Sequence, residues 1–185
     1  MTRPTRRVVT GHDASGKAVV LLDGAAPNAK VRKATGLTST LLWVTDESPA
    51  DNSRSSDSAD REIGVAPPAR GSIFRVVDFP PEAESRAVDN AAMLREMGIS
   101  GAAHTDPRHA TMHRTRSVDY CVVISGEIDM LLDDSEVHLR AGDVLVQRGT
   151  VHNWINRGTA PCVIAFSLID AKPAAAGGKT LNAFG

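Results

Sequence analysis

Residues 142–156 read Gly142-Asp143-Val144-Leu145-Val146-Gln147-Arg148-Gly149-Thr150-Val151-His152-Asn153-Trp154-Ile155-Asn156, and residues 112–120 read Met112-His113-Arg114-Thr115-Arg116-Ser117-Val118-Asp119-Tyr120. Both are runs of strand length bounded by Gly and Asp turn chemistry. Alternate residues of a strand share a face. His152, Trp154 and Asn156 therefore point one way. In the earlier stretch His113, Thr115, Asp119 and Cys121 share a parity, with Val118 and Tyr120 opposed and read as packing residues. Two histidines and a carboxylate turned into one barrel mouth make the ligand set of a facial metal site.

The same punctuation extends outward. Strands are expected over 120–124, 128–132, 137–139, 144–147, 152–156 and 162–169. Ser125-Gly126, Asp133-Asp134-Ser135, Ala141-Gly142-Asp143 and Arg157-Gly158-Thr159 separate them. Even spacing of this kind predicts an all-β sandwich or jelly roll. Upstream, strands are expected over 6–10, 18–22, 38–45 and 71–79, the last ended by Pro80-Pro81 because proline cannot donate to a ladder. Residues 46–70 turn rich in Asp and Ser with almost nothing to bury, and predict a long loop that is disordered or serves as a lid or dimer arm. Residues 85–97 predict one short helix, with Val88, Ala91, Leu94 and Met97 near helical spacing and Gly98 placed to cap it. The expected organisation is 1–100 as N-terminal strands, loop and helix contributing to the barrel and dimer, 101–172 as the barrel core, and 173–185 as a loose tail.

Composition narrows the function. Among 185 residues, 21 basic and 22 acidic side chains leave a net charge of −1, and aromatics are 4%. A nucleic-acid binder or a protein of anionic membranes needs a basic face, so both are excluded. No apolar run approaches the ~20 residues of a membrane span. Cys121 and Cys162 sit in apolar runs and read as buried free thiols of a reducing compartment, which predicts a cytoplasmic protein.

The two stretches also resemble the paired motifs of the cupin family. His113 stands at the first motif's first histidine, Asp119 at its glutamate, and Gly126 follows Asp119 after six residues. Gly142, Gly149, His152 and Asn156 match the second motif, with Gln147 in place of proline and the glycine-to-glycine gap one residue short. Thr115 occupies the place of the second histidine, so one of the family's usual four ligands is missing. The resemblance covers about residues 107–169. It implies a double-stranded β-helix barrel with extra N-terminal strands, and a homodimer formed through the 6–22 region.

On that resemblance the chain is expected to be a small enzyme acting on a small organic molecule. His113, Asp119 and His152 would hold a divalent transition metal such as Fe, Mn, Ni or Zn, leaving open positions for water or substrate. Oxygenase, lyase, dehydratase and isomerase chemistry all fit. His109, in the segment 103–109 with His104, is a candidate missing ligand or general acid–base, with Asp119 as its catalytic partner. Thr115 and Trp154 are the candidate substrate contacts. A metal-free dehydratase or isomerase working by His/Asp acid–base chemistry, and a binding module without turnover, are the alternatives.

Overall fold

The computed structural model describes residues 4–32, 35–54, 56–84, 98, 109 and 111–183. The chain is all-β. Its strands are β1 (Arg6–His12), β2 (Ala18–Ala25), β3 (Ala29–Val31), β4 (Thr38–Thr45), β5 (Ser72–Phe79), β6 (Val118–Ser125), β7 (Glu127–Leu131), β8 (Glu136–Arg140), β9 (Val144–Arg148), β10 (Asn153–Ile155), β11 (Cys162–Ile169), β12 (Ala174–Ala176) and β13 (Lys179–Leu181), with a 3-10 turn at Glu82–Glu84. The expected helix over 85–97 and His104 both lie outside the described residues.

Six strands form one antiparallel sheet in the order β3-β4-β5-β11-β6-β9, and β10-β7-β8 form a second. Strands β4 and β5 from the N-terminal half thus share a sheet with β6, β9 and β11. Alternation sets which side chains go inside. Cys162, Ile164, Phe166 and Leu168 of β11 are buried, as are Cys121 and Val123 of β6. They meet Ile128 and Leu139, a cross-strand pair of the small sheet, in one core. Cys121 and Cys162 are both buried free thiols. A second cluster of Ala26, Leu42 and Val76 covers part of the large sheet's outer face.

Three local expectations are corrected. Tyr120 is half exposed: on the outward face it stands between Val146 of β9, also exposed, and the small Ser167 of β11. The tail is not loose: β12 and β13 pair across Gly177-Gly178, both at positive φ, the backbone of a two-residue hairpin turn. The 46–70 segment does bury something. Ala59 is 1% exposed and packs in the core with Ile63. The segment's polar side chains stand in for a missing ladder. Asp57 accepts Ala59 N–H at 3.0 Å and the Arg7 guanidinium at 2.8 Å. Ser58 Oγ accepts Val44 N–H at 3.0 Å, and Asn28 Nδ2 donates to the carbonyls of Ala59 and Arg61 at 2.7 Å.

Gly126 closes the β6–β7 hairpin at φ 77°, where a side chain is strained. A Cβ there would lie 2.6 Å from Pro161 O and 2.9 Å from Cys162 Cα. Gly142 has φ 93° but open space around it. Gly126→Ala is therefore expected to lose about 3 kcal/mol, and Gly142→Ala only about 1 kcal/mol, read as urea-midpoint shifts. Equal losses would mean that the backbone contact at Gly126 is relieved at no cost.

Candidate functional site

A cavity of about 360 Å³ opens into the barrel, in the range of small-molecule sites. Leu37, Val77, Phe79, Trp154, Phe166 and Leu168 make an apolar wall. His109, His113, Thr115, Asp119, His152 and Trp154, the residues singled out from the sequence, all line it.

His113 and His152 face each other across a short bridge just outside the regular strands. Their backbones exchange hydrogen bonds, His113 N–H to His152 O at 3.1 Å and His152 N–H to His113 O at 3.0 Å. Side chains of such a pair stand on the same side, and the two ring centroids are 4.5 Å apart. Nδ1 of His113 lies 3.0 Å from the carbonyl of Thr111, and Nδ1 of His152 lies 3.0 Å from that of Thr150. A carbonyl can only accept, so the His113 ring carries its proton on Nδ1 and keeps the Nε2 lone pair. Gln147, buried, closes over His152 with Nε2 3.0 Å from Nδ1 and 3.3 Å from the same carbonyl. Burial holds both imidazoles neutral. It lowers the His113 pKa, and together with the neighbouring His113 it brings that of His152 down to about 3.

His109 is set the other way round. Asn153 Nδ2, which can only donate, lies 3.0 Å from its Nδ1. The proton therefore sits on Nε2, 3.6 Å from Glu82 Oε1. Thr111 fixes this corner by donating to Asn153 Oδ1 at 2.9 Å. Trp154 packs edge-on to His152 at 6.4 Å and to Phe166 at 5.6 Å, so its ring is both wall and support.

Asp119 belongs to a different circle of partners. Thr115 Oγ and Ser117 Oγ are 2.9 Å apart, and Ser117 hydrogen-bonds the carboxyl of Asp119. Burial raises the Asp119 pKa to about 6, against Ser117 and the charge of Arg75, and Oδ1 is buried without a partner. Thr115, at the missing ligand's place, thus serves a hydroxyl chain to Asp119.

Two buried cations in the cavity, Arg32 and Arg75, escaped the sequence reading. The signal was present for Arg75. Ile73, Arg75 and Val77 share the inward parity of β5 while Phe74 points out. A charge on the inward register of an apolar strand needs an explanation. Asn156 has a structural role: its Nδ2 donates to Phe79 O at 2.8 Å and Ala160 O at 2.9 Å, and its Oδ1 accepts Gly158 N–H.

The histidine pair suits a divalent transition metal: adjacent imidazoles kept neutral and oriented through Nδ1 by backbone carbonyls are the ligating form. Asp119 lines the same cavity, but its electrostatic partner is Arg75. Among the described residues no three His, Cys, Asp or Glu side chains converge as a coordination set. Among those residues, too, no helix is long and apolar enough to cross a membrane.

The profile of the Cupin domain family matches residues 97–169. Over 97% of its length the chain is 35% identical to phomopsin biosynthesis cluster protein C' of Diaporthe leptostromiformis, covering 86% of that protein. It is 30% identical over 92% of its length to the cupin-domain-containing oxidoreductase virC of Hypocrea virens, covering 78% of it. To the cupin-domain-containing oxidoreductase fogC of Aspergillus ruber it is 29% identical over 96% of its length, again covering 78%.

Proposed function

This chain belongs to the cupin superfamily, and from that premise we propose that it is a small biosynthetic enzyme of the oxidoreductase class, with the barrel cavity as its active site. The observation that carries this reading is the paired, neutral His113 and His152 on an otherwise apolar cavity wall. Relatives named as oxidoreductases and as a biosynthesis cluster protein support the class.

His113 and His152 would hold a divalent transition metal, which supplies Lewis-acid or redox chemistry when bound. The chain's own residues do the rest. Leu37, Val77, Phe79 and Phe166 exclude water from an organic substrate, and Trp154 presents a flat apolar face beside His152. His109 holds a proton on Nε2 and can pass it to or from Glu82 at the cavity wall. Thr115 and Ser117 orient the Asp119 carboxyl. A metal-free acid–base reaction is the second reading, favoured by that same His109–Glu82 pair.

Turnover is tested by deleting the gene in its own organism and comparing extracts. One small organic precursor is expected to accumulate, and a product differing from it by an oxidation step is expected to vanish. Complementation with the wild-type gene restores the product, and His152→Ala does not. If His152→Ala complements as well as the wild type, the cavity is not the active site.

A further inference from the structure

Arg75 is a buried cation whose bonding is unfinished. It lies on β5 between Ile73 and Val77, 6% exposed, with its side chain at the cavity. Its guanidinium has five N–H groups, yet among the described residues its one hydrogen bond runs from Nη2 to the carbonyl of Gly64 at 2.6 Å. Nε is buried with no partner. Asp119, the buried carboxylate of the same cavity, interacts with Arg75 through its charge but makes no ion pair with it, and leaves its own Oδ1 unpartnered. Arg32 adds a second positive charge to the same lining. Glu82, the other lining carboxylate, is half exposed and lies beside His109.

Leaving a guanidinium buried and unpaired is costly, and a fork of donors matches a carboxylate in two-point geometry. The 46–70 segment contributes directly, since Gly64 O holds one arm of the fork and Val65 lines the cavity beside it. We propose that Arg75 is the anchor for a carboxylate on the substrate, so that the enzyme acts on small organic acids, with the acid group at Arg75 and the rest of the molecule along the apolar wall towards the histidine pair. This rests on the cavity being the substrate site.

The probes are benzoate and its neutral isostere benzamide, titrated calorimetrically into wild-type protein, Arg75→Gln and Arg75→Lys, with metal content measured on each. Wild-type protein is expected to prefer benzoate over benzamide by roughly 10- to 100-fold, the usual worth of hydrogen bonds to a charged group. Arg75→Gln is expected to lose that preference at unchanged metal content, and Arg75→Lys to keep part of it. If Arg75→Gln does not fold, the wild-type and Arg75→Lys titrations still decide. Equal binding of the two probes by wild type, or an undiminished preference for benzoate in Arg75→Gln, overturns the anchor. Failure of benzoate to bind wild-type protein overturns it too. The parent reading stands or falls separately, on the complementation by His152→Ala.

Discussion

If the histidine pair holds the proposed metal, purified, untagged wild-type protein is expected to carry about one per chain, His113→Ala and His152→Ala to carry none, and Asp119→Asn to match the wild type. The asymmetry comes from the two circles of partners in the cavity. The histidines are each held through Nδ1 by a backbone carbonyl, that of Thr111 or of Thr150. Removing either deletes a donor whose orientation the backbone has already set. Loss of a mere supporting hydrogen bond at a metal site costs roughly 10- to 100-fold in affinity, so loss of a ligand costs more. Asp119 is instead engaged by Ser117 and by the charge of Arg75. Elemental analysis by mass spectrometry after growth with added Fe, Mn, Ni and Zn reads the result. Loss of metal from Asp119→Asn as well would make Asp119 the third ligand. A wild-type protein that holds no metal at all would leave the His109–Glu82 acid–base reading in place of the metal one.

Acid should unfold the metal-stripped protein well before it unfolds a typical domain, and the cause is His152. An ordinary histidine protonates near 6.5, but folded His152 resists until about 3. Stability from this group is complete above pH 6.5 and is lost as pH falls towards 3, about 1.4 kcal/mol per pH unit and roughly 5 kcal/mol in all. His113, also lowered, acts in the same direction. Asp119 acts in the opposite one. Its folded pKa of about 6 lies above the ordinary aspartate value of 3.8. Its contribution is complete below 3.8 and lost as pH rises through 6, roughly 3 kcal/mol. Between pH 6 and 4, His152 thus pulls against Asp119, and His113 adds to the side of His152. Urea midpoints across this window should fall for the wild type, fall more steeply for Asp119→Asn, and fall less steeply for His152→Gln. An equally steep loss in His152→Gln would mean that acid unfolding begins elsewhere in the chain.

Much of this site was legible in the sequence, and the reason is local. Strand parity is a two-residue rule, so His113, Thr115 and Asp119 could be assigned to one face, and His152, Trp154 and Asn156 to another, without any knowledge of the fold. Turn glycines are also local, since the positive φ at Gly126, Gly142 and Gly149 is what the paired motifs demanded. The six named residues do line one cavity. Parity says which way a side chain points but nothing about how far it reaches. Whether the histidines and Asp119 meet at one point depends on the relative placement of β6 and the His113–His152 bridge, which no run of residues contains.

What the sequence determined alone was the all-β barrel, the inward faces of its motif strands and the polar residues those faces carry. Tertiary structure decided which of those residues act together. It paired His113 with His152, because two distant segments hydrogen-bond across the barrel mouth. It drew Asp119 towards Arg75 from a strand more than forty residues earlier, because β11 brings β5 and β6 to its two sides. It also turned the Asp- and Ser-rich 46–70 segment from a stretch with almost nothing to bury into part of the cavity wall. Its carboxylates, hydroxyls and carbonyls found donors on Arg7, Val44 and Arg75. Partners of that kind are set by long-range chain placement, and only the folded barrel supplies it.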